Sequence, residues 1–214
     1  MKEFKAALFD MDGVIVDTEP IYDLFWEQAG ERYHAGVDNF ASVIKGVTMP
    51  NIIAKYFSKC STEEIERLIS EVEHYEAIMP LPPVAGAMAF LRLLHEQGVR
   101  MGLVTSSGRD KVDRAIALYK LEGVFGTIVA ADRIAEGKPN PLCYLLAARD
   151  LDVAPADCIV FEDSFNGIRA GNAAGMRVVG LSTTNPAEAI ADMVYDVIPD
   201  FEEITTERYA EWCK

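Results

Sequence analysis

Short apolar runs punctuate the chain at Ala6 to Phe9, Met101 to Val104, Thr127 to Ala130, Ile159 to Phe161 and Val178 to Leu181, with a weaker one at Val194 to Ile198. None alternates strictly, which is the pattern of strands covered on both faces. Longer amphipathic stretches lie between them. Phe90, Leu91, Leu94 and His95 fall on one helical face, and Gly98 follows as a C-cap residue. Strand and helix alternating in this way predict an α/β fold, a Rossmann-like parallel sheet core with helices on both sides.

One interval breaks the alternation. From Glu19 to about Pro83 there is no strong strand run, but helical patterns appear around Ile21 to Glu31, Met49 to Phe57 and Thr62 to Ile78. Ser61-Thr62-Glu63-Glu64 reads as a capping box, and Pro80-Leu81-Pro82-Pro83 as a stiff, hinge-like close. The economical division is an α-helical cap, residues 18–83, inserted into a core of residues 1–17 and 84–214.

Composition narrows the class. The 214 residues are 50% hydrophobic and 25% charged, which excludes disorder, collagen and a disulfide-rich miniprotein. A net charge of −14 argues against nucleic-acid binding, which needs basic residues to replace counterions, but a few local donors still suffice for a small anion. Cys60, Cys143, Cys158 and Cys213 lack paired spacing, so reduced thiols are expected rather than zinc or disulfides. Asp10 and Asp12 interrupt the faintly leader-like start, and no stretch reaches the length of a membrane span. These features lead us to expect a cytoplasmic monomer that contacts neither nucleic acid nor membrane.

Every strong polar feature follows a strand, at the sheet edge where open parallel sheets bind ligands. After the first strand come Asp10 and Asp12, then Gly13; after the second, the hydroxyl turn Thr105-Ser106-Ser107-Gly108. After the third come Gly137-Lys138-Pro139-Asn140-Pro141, and after the fourth the second acidic pair, Glu162-Asp163. Gathered carboxylates need compensation, and oxygen-rich sites of this kind suit Mg²⁺. A divalent ion, a lysine and hydroxyl donors together would hold a dianionic phosphoryl group. Each element alone has a plainer account: an Asx turn for Asp-x-Asp, a helix cap for Thr-Ser-Ser-Gly, a solvated lysine before proline. It is their ordered recurrence that points to one site.

These four segments resemble, in order and spacing, the motifs of the haloacid dehalogenase (HAD) superfamily, and the helical interval resembles the small cap of its β-phosphoglucomutase-like phosphatases. The resemblance implies a Mg²⁺-dependent phosphatase acting on a small phosphorylated metabolite. Asp10 would be the nucleophile that forms an aspartyl-phosphate, and Asp12 the acid and base. Asp10, the backbone carbonyl of Asp12, Glu162 and Asp163 would hold Mg²⁺. Thr105, Ser106, Ser107 and Lys138 would bind the phosphoryl oxygens. Glu19, Tyr22, Trp26, Lys45 and Met49 are the candidate specificity contacts in the cap, although Glu19 and Lys45 read equally as solvated charges and Trp26 as cap packing.

Dehalogenation is set aside because those enzymes generally lack the second aspartate and need no metal. A β-phosphoglucomutase-type mutase is the nearer alternative. There, however, a histidine stands at the place of Tyr22, an arginine at that of Met49 after Lys45-Gly46-Val47, and a lysine near Glu71. A phospho-accepting signalling module shares an acidic cluster, Thr or Ser and Lys, but is about half this length and lacks a helical cap. A silent scaffold is disfavoured because every position of the constellation is present.

Overall fold

The computed structural model describes residues 5–45 and 47–214; residues 1–4 at the leader-like start, and Gly46 of Lys45-Gly46-Val47, lie outside the described residues. Among the described residues one parallel sheet has the order β3-β2-β1-β4-β5-β6. Its strands are β1 (Ala6–Phe9), β2 (Met101–Val104), β3 (Thr127–Val129), β4 (Cys158–Glu162), β5 (Arg177–Leu181) and β6 (Asp196–Ile198). Neighbouring side chains along a strand point to opposite faces. Ala7 and Phe9 therefore join Leu103, Ile159 and Phe161 on one face, while Ala6 and Leu8 join Val104 and Val160 on the other. The first face packs on α5 (Ala87–Glu96) and α10 (Thr206–Trp212), the second on α7 (Leu142–Asp150) and α8 (Phe165–Ala173). Both faces are buried, which is why the runs show no alternation.

The chain builds outward from β1 in both directions, so the order reverses between β1 and β4, the topological switch point. Phe9 and Phe161 are register partners there, with rings stacked 4.7 Å apart. The residues that follow them, Asp10 just past β1 and Glu162 at the end of β4, are neighbours at the sheet edge.

Between β1 and α5 lie α1 (Glu19–Arg32), α2 (Phe40–Ile44), α3 (Met49–Tyr56) and α4 (Thr62–Ile78). Their apolar cluster, with Trp26, Phe40, Ile52, Phe57 and Leu68 at its centre, draws only on residues between 22 and 72. Ser61 caps α4 as its sequence suggests: its hydroxyl accepts from the Glu64 N–H at 3.3 Å, and the Glu64 carboxylate accepts from the Ser61 N–H at 2.8 Å. The five-residue α2 is too short to display a helical period and escapes the hydrophobic pattern. Two antiparallel connections join this segment to the sheet, with Val16 bridged to Pro83 and the Asp17 N–H bonded to the Pro82 carbonyl at 2.8 Å. One expectation fails: His95 is exposed, because it lies a step beyond the stripe formed by Phe90, Leu91 and Leu94.

Phe90 packs against Phe9, Phe161, Phe201 and Tyr209 and is 2% exposed. Phe90→Ala is expected to cost about 3–5 kcal/mol, seen as a melting temperature lower by about 6–20 °C. Leu24→Ala, on an exposed face, should stay within about 0.5 kcal/mol of the parent. Calorimetry on both variants checks the assignment of the core.

Candidate active site

Asp10, Glu162 and Asp163 converge at the switch point, each offering an oxygen within 4.8 Å of the others, and all three are buried. Lys138 enters from the loop before α7 and is 2% exposed. Its ammonium donates to Asp10 Oδ1 at 2.5 Å, Glu162 Oε1 at 2.6 Å and the Val104 carbonyl at 3.3 Å. One cation among three carboxylates is too little. Burial, with Glu162 and Asp12 adding to it against Lys138, pushes Asp10 up to about 8. Burial, with Glu162, Glu19 and Asp10 adding to it, pushes Asp163 well above the carboxylate range. Lys138 itself is held well above its ordinary value, because Asp10 and Glu162 outweigh the opposing effect of burial.

The three carboxylates are not equivalent. Both oxygens of Glu162 are already engaged: Oε1 by Lys138 and the Tyr144 hydroxyl, Oε2 by the N–H groups of Asp163 and Ser164 at 2.9 Å. A side chain at Gly167 would collide with Glu162, its Cβ falling 1.6 Å from Oε1, so the glycine in the fourth motif makes room for this carboxylate. Asp163 accepts from the Thr184 hydroxyl on Oδ2, while Oδ1 is buried without a partner. An unpaired carboxylate oxygen beside two further carboxylates is the donor set a hard divalent cation requires, and these residues fit one. Ser164 caps α8 through the Gly167 N–H, placing the acidic pair at a helix N-terminus that favours negative charge.

Asp12 faces elsewhere. Its Oδ1 accepts from the Thr18 hydroxyl and the Lys111 ammonium, and its Oδ2 from the Ser107 hydroxyl at 2.7 Å. Burial acts against ionisation, but Lys111, Thr18 and Ser107 outweigh it and hold Asp12 below the usual carboxylate range. Its carboxylate stands apart from the acidic trio, which leaves its backbone carbonyl as its only expected metal contact. The hydroxyl turn is also partly committed: the Ser107 N–H donates to Thr105 Oγ1 at 3.0 Å.

A cavity of about 260 Å³ opens between this edge and the helical segment, lined on the sheet side by Asp10, Asp12, Thr105, Ser106, Ser107 and Asp163. Glu19, Tyr22, Trp26, Lys45 and Met49 all line its other wall. The fraction of Trp26 still exposed is 8%, and its ring also packs edge-on to Phe40, so packing and lining coincide. Lys45 donates to Glu19 at 2.5 Å and to Asp23 at 2.8 Å. Its backbone carbonyl accepts from Asn166 Nδ2 at 3.0 Å, tying the segment to the fourth motif. Lys138 and Glu162 are not among the lining residues; they reach the cavity through Asp10 and Asp163.

Lys111, Thr18, Glu76 and Thr184 were not foreseen. Lys111 could have been noticed: it sits in the first turn of α6 (Arg109–Tyr119), where the helix dipole disfavours a cation, so its placement there asks for an acidic partner. Nothing local distinguishes Glu76 or Thr184 from ordinary surface residues. Tyr22 donates to Glu76 at 2.5 Å; burial, Asp12 and Glu76 raise its hydroxyl well above its ordinary value and keep it a donor.

Among the described residues, no helix is long and apolar enough to cross a membrane. A model of the haloacid dehalogenase-like hydrolases matches residues 4–175. Validoxylamine A 7'-phosphate phosphatase of Streptomyces hygroscopicus subsp. limoneus is 33% identical over 88% of this chain and 91% of its own. Hexitol phosphatase A of Escherichia coli (strain K12) is 30% identical over 94% and 93%. The crystal structure of a putative β-phosphoglucomutase from Bacteroides vulgatus superposes with a TM-score of 0.85 at 25% identity, covering 99% of this chain and 91% of that one. With its four motifs assembled on one sheet edge and a family match spanning most of its length, the chain belongs to the haloacid dehalogenase-like hydrolases.

Proposed function

We propose that the chain is a Mg²⁺-dependent phosphatase that cleaves small phosphorylated metabolites, sugar phosphates or similar, through a phosphorylated Asp10. The observation that carries this reading is the placement of Asp10: on the sheet-side wall of the cavity, held by Lys138, beside an orphaned Asp163 oxygen. Residues 18–83 act as a cap over a core of residues 1–17 and 84–214, pivoting on the paired connections around Val16 and Pro83. The names of the two phosphatase relatives, one acting on a hexitol phosphate and one on validoxylamine A 7'-phosphate, support a polyhydroxylated substrate. Free cysteines throughout the described chain suit a cytoplasmic monomer.

Phosphate monoesters are so inert that such a catalyst must remove roughly 20 kcal/mol of barrier or more. Asp10, having lost its proton to solvent, attacks phosphorus through a carboxylate oxygen and the ester P–O bond breaks, while Asp12, ionised at rest, passes to the departing oxygen a proton taken up from the phosphate monoanion or water. Water then attacks the phosphorylated Asp10, Asp12 takes the water's proton, and phosphate leaves as the Asp10 carboxylate re-forms. Thr105 and Ser106 orient the phosphoryl oxygens, and Lys138 keeps Asp10 aimed. Asp10, Asp163 and the Asp12 carbonyl, with Glu162 behind them, would hold Mg²⁺. When bound, Mg²⁺ supplies the positive charge that offsets the phosphoryl oxygens and the crowded carboxylates.

The mutase reading has less support. Lys45, the cation of the cap wall, is occupied by Glu19 and Asp23, and Glu71 pairs with Arg32 at 2.8 Å. Among the described residues the cap wall of the cavity thus offers no unpaired cation for the second phosphate of a bisphosphate intermediate.

Two outcomes are expected. In a phosphate-release screen over phosphorylated metabolites with Mg²⁺, Asp10→Asn should lose at least about 10³-fold in rate; equal release by the variant overturns the proposal. Glucose 6-phosphate formed from β-glucose 1-phosphate and its bisphosphate would favour the mutase. The second outcome concerns pH. The raised carboxyl groups of Asp10 and Asp163 hold protons in the folded state that the unfolded chain has released, so metal-free stability should fall as pH rises from about 4 to about 8. Asp12, shifted the other way, contributes no slope in that window. Mg²⁺ at about 100 times its dissociation constant should add about 2.7 kcal/mol, or about 5–10 °C. The gain should be larger at about pH 8 than at about pH 5.5, since ligands must lose their protons. Asp163→Asn should abolish it, and thermal melts with chelator or Mg²⁺ measure all of these effects.

A further inference from the structure

We infer that Lys111 is a positioning residue that holds the Asp12 carboxylate at the cavity wall, with Tyr22 holding Lys111 in turn. The inference rests on the phosphatase reading above. The Lys111 side chain is 0% exposed, and it does not line the cavity, whereas Asp12, Tyr22, Ser107 and Glu76 do. Its ammonium donates to Asp12 Oδ1, to the Tyr22 hydroxyl at 2.9 Å and, more weakly, to Ser107 Oγ at 3.4 Å, and it lies 4.2 Å from the centre of the Tyr22 ring. Its three protons are therefore committed to protein groups, and a phosphoryl oxygen has neither a proton nor a path to reach it. A lysine fully withdrawn from water is expensive unless its partner requires it. The partner here is the one carboxylate that must point at the leaving oxygen.

The arrangement also spans the two parts of the molecule. Asp12, Ser107 and Lys111 belong to the sheet side, Tyr22 to α1 and Glu76 to α4. Glu76 accepts the Tyr22 proton, which leaves the Tyr22 oxygen turned toward Lys111 as an acceptor. Thr18 and Ser107 still hold one oxygen each, so removal of Lys111 should leave the Asp12 carboxylate in place but less firmly aimed.

The test compares p-nitrophenyl phosphate with phenyl phosphate, two esters of nearly the same shape. The first leaving group departs with little protonation, and the second depends on a well-aimed acid. For Lys111→Met, kcat on phenyl phosphate should fall by about 10²-fold with KM within about threefold, while kcat on p-nitrophenyl phosphate falls by less than about tenfold. Tyr22→Phe should bias the two esters in the same direction by a smaller factor. Equal falls on both esters, or no change, overturn the inference, since a lost fold or weakened phosphate binding does not discriminate between leaving groups. If Lys111→Met gives no cooperative melt, Tyr22→Phe decides: a selective fall on phenyl phosphate supports the inference, and an unselective or absent one overturns it. Failure of the wild-type protein with Mg²⁺ on both esters is a separate result, which overturns the phosphatase reading itself.

Discussion

Strand register forces Asp10 and Glu162 together. β1 and β4 pair so that Phe9 faces Phe161, and the Asp10 N–H donates to the Phe161 carbonyl at 3.0 Å. The carboxylates that follow cannot separate without unzipping the middle of the sheet, which Phe9 and Phe161 hold by stacking inside a cluster with Phe90 and Phe201. Backbone pairing thus imposes an electrostatic conflict at a buried place, where ions interact more strongly than in water. Lys138 relieves part of it by standing between the two. What remains, with Asp163 added, is an unbalanced negative charge fixed by the fold, and the rest of the site answers it.

The helical segment contributes a wall rather than chemistry. It has an apolar cluster of its own, and it meets the sheet through side-by-side connections, a few polar contacts and the packing of Ile21, Tyr22 and Tyr75 on the sheet core. Asn166 reaches from the fourth motif to the Lys45 carbonyl, and Lys111 reaches from α6 to Tyr22. The proposed division of labour follows from this construction. On that proposal the reacting groups would sit on the rigid sheet edge, and the selecting groups on a part that moves as a unit.

How much of this was legible beforehand depends on whether the signal was local. Strands buried on both faces announce themselves as apolar runs, and β1 and β2 begin and end where the pattern places them. The capping box of α4 is likewise a purely local arrangement, and it formed as written. The acidic pairs, the hydroxyl turn and Lys138 were legible because each follows a strand, so the topology itself brings them to one edge. Lys111, Glu76 and Thr184 were not, because what makes them part of the site is a partner far away in sequence: Asp12 is 99 residues from Lys111, and Tyr22 54 from Glu76. His95 erred the other way, for periodicity alone does not say where a stripe ends.

The three cations around the cavity share one pattern. Lys138 stands between Asp10 and Glu162, Lys45 between Glu19 and Asp23, and Lys111 between Asp12 and, through the Tyr22 hydroxyl, Glu76. Each cation is outnumbered by its own partners, and Asp163 and the cavity-lining Glu73 are left over. A bare phosphate dianion would meet a field of its own sign at close range, with no unpaired ammonium among the described residues of the helical wall to draw it in. On the proposed reading a phosphorylated ligand would enter together with a divalent cation, and the carboxylates that crowd the switch point would make that pairing favourable. On that reading the excess of acid would favour the metal-accompanied form rather than burden an anion-binding site. The same excess gives a reason for Asp12, the proposed acid and base, to lie outside the acidic trio with a cation of its own.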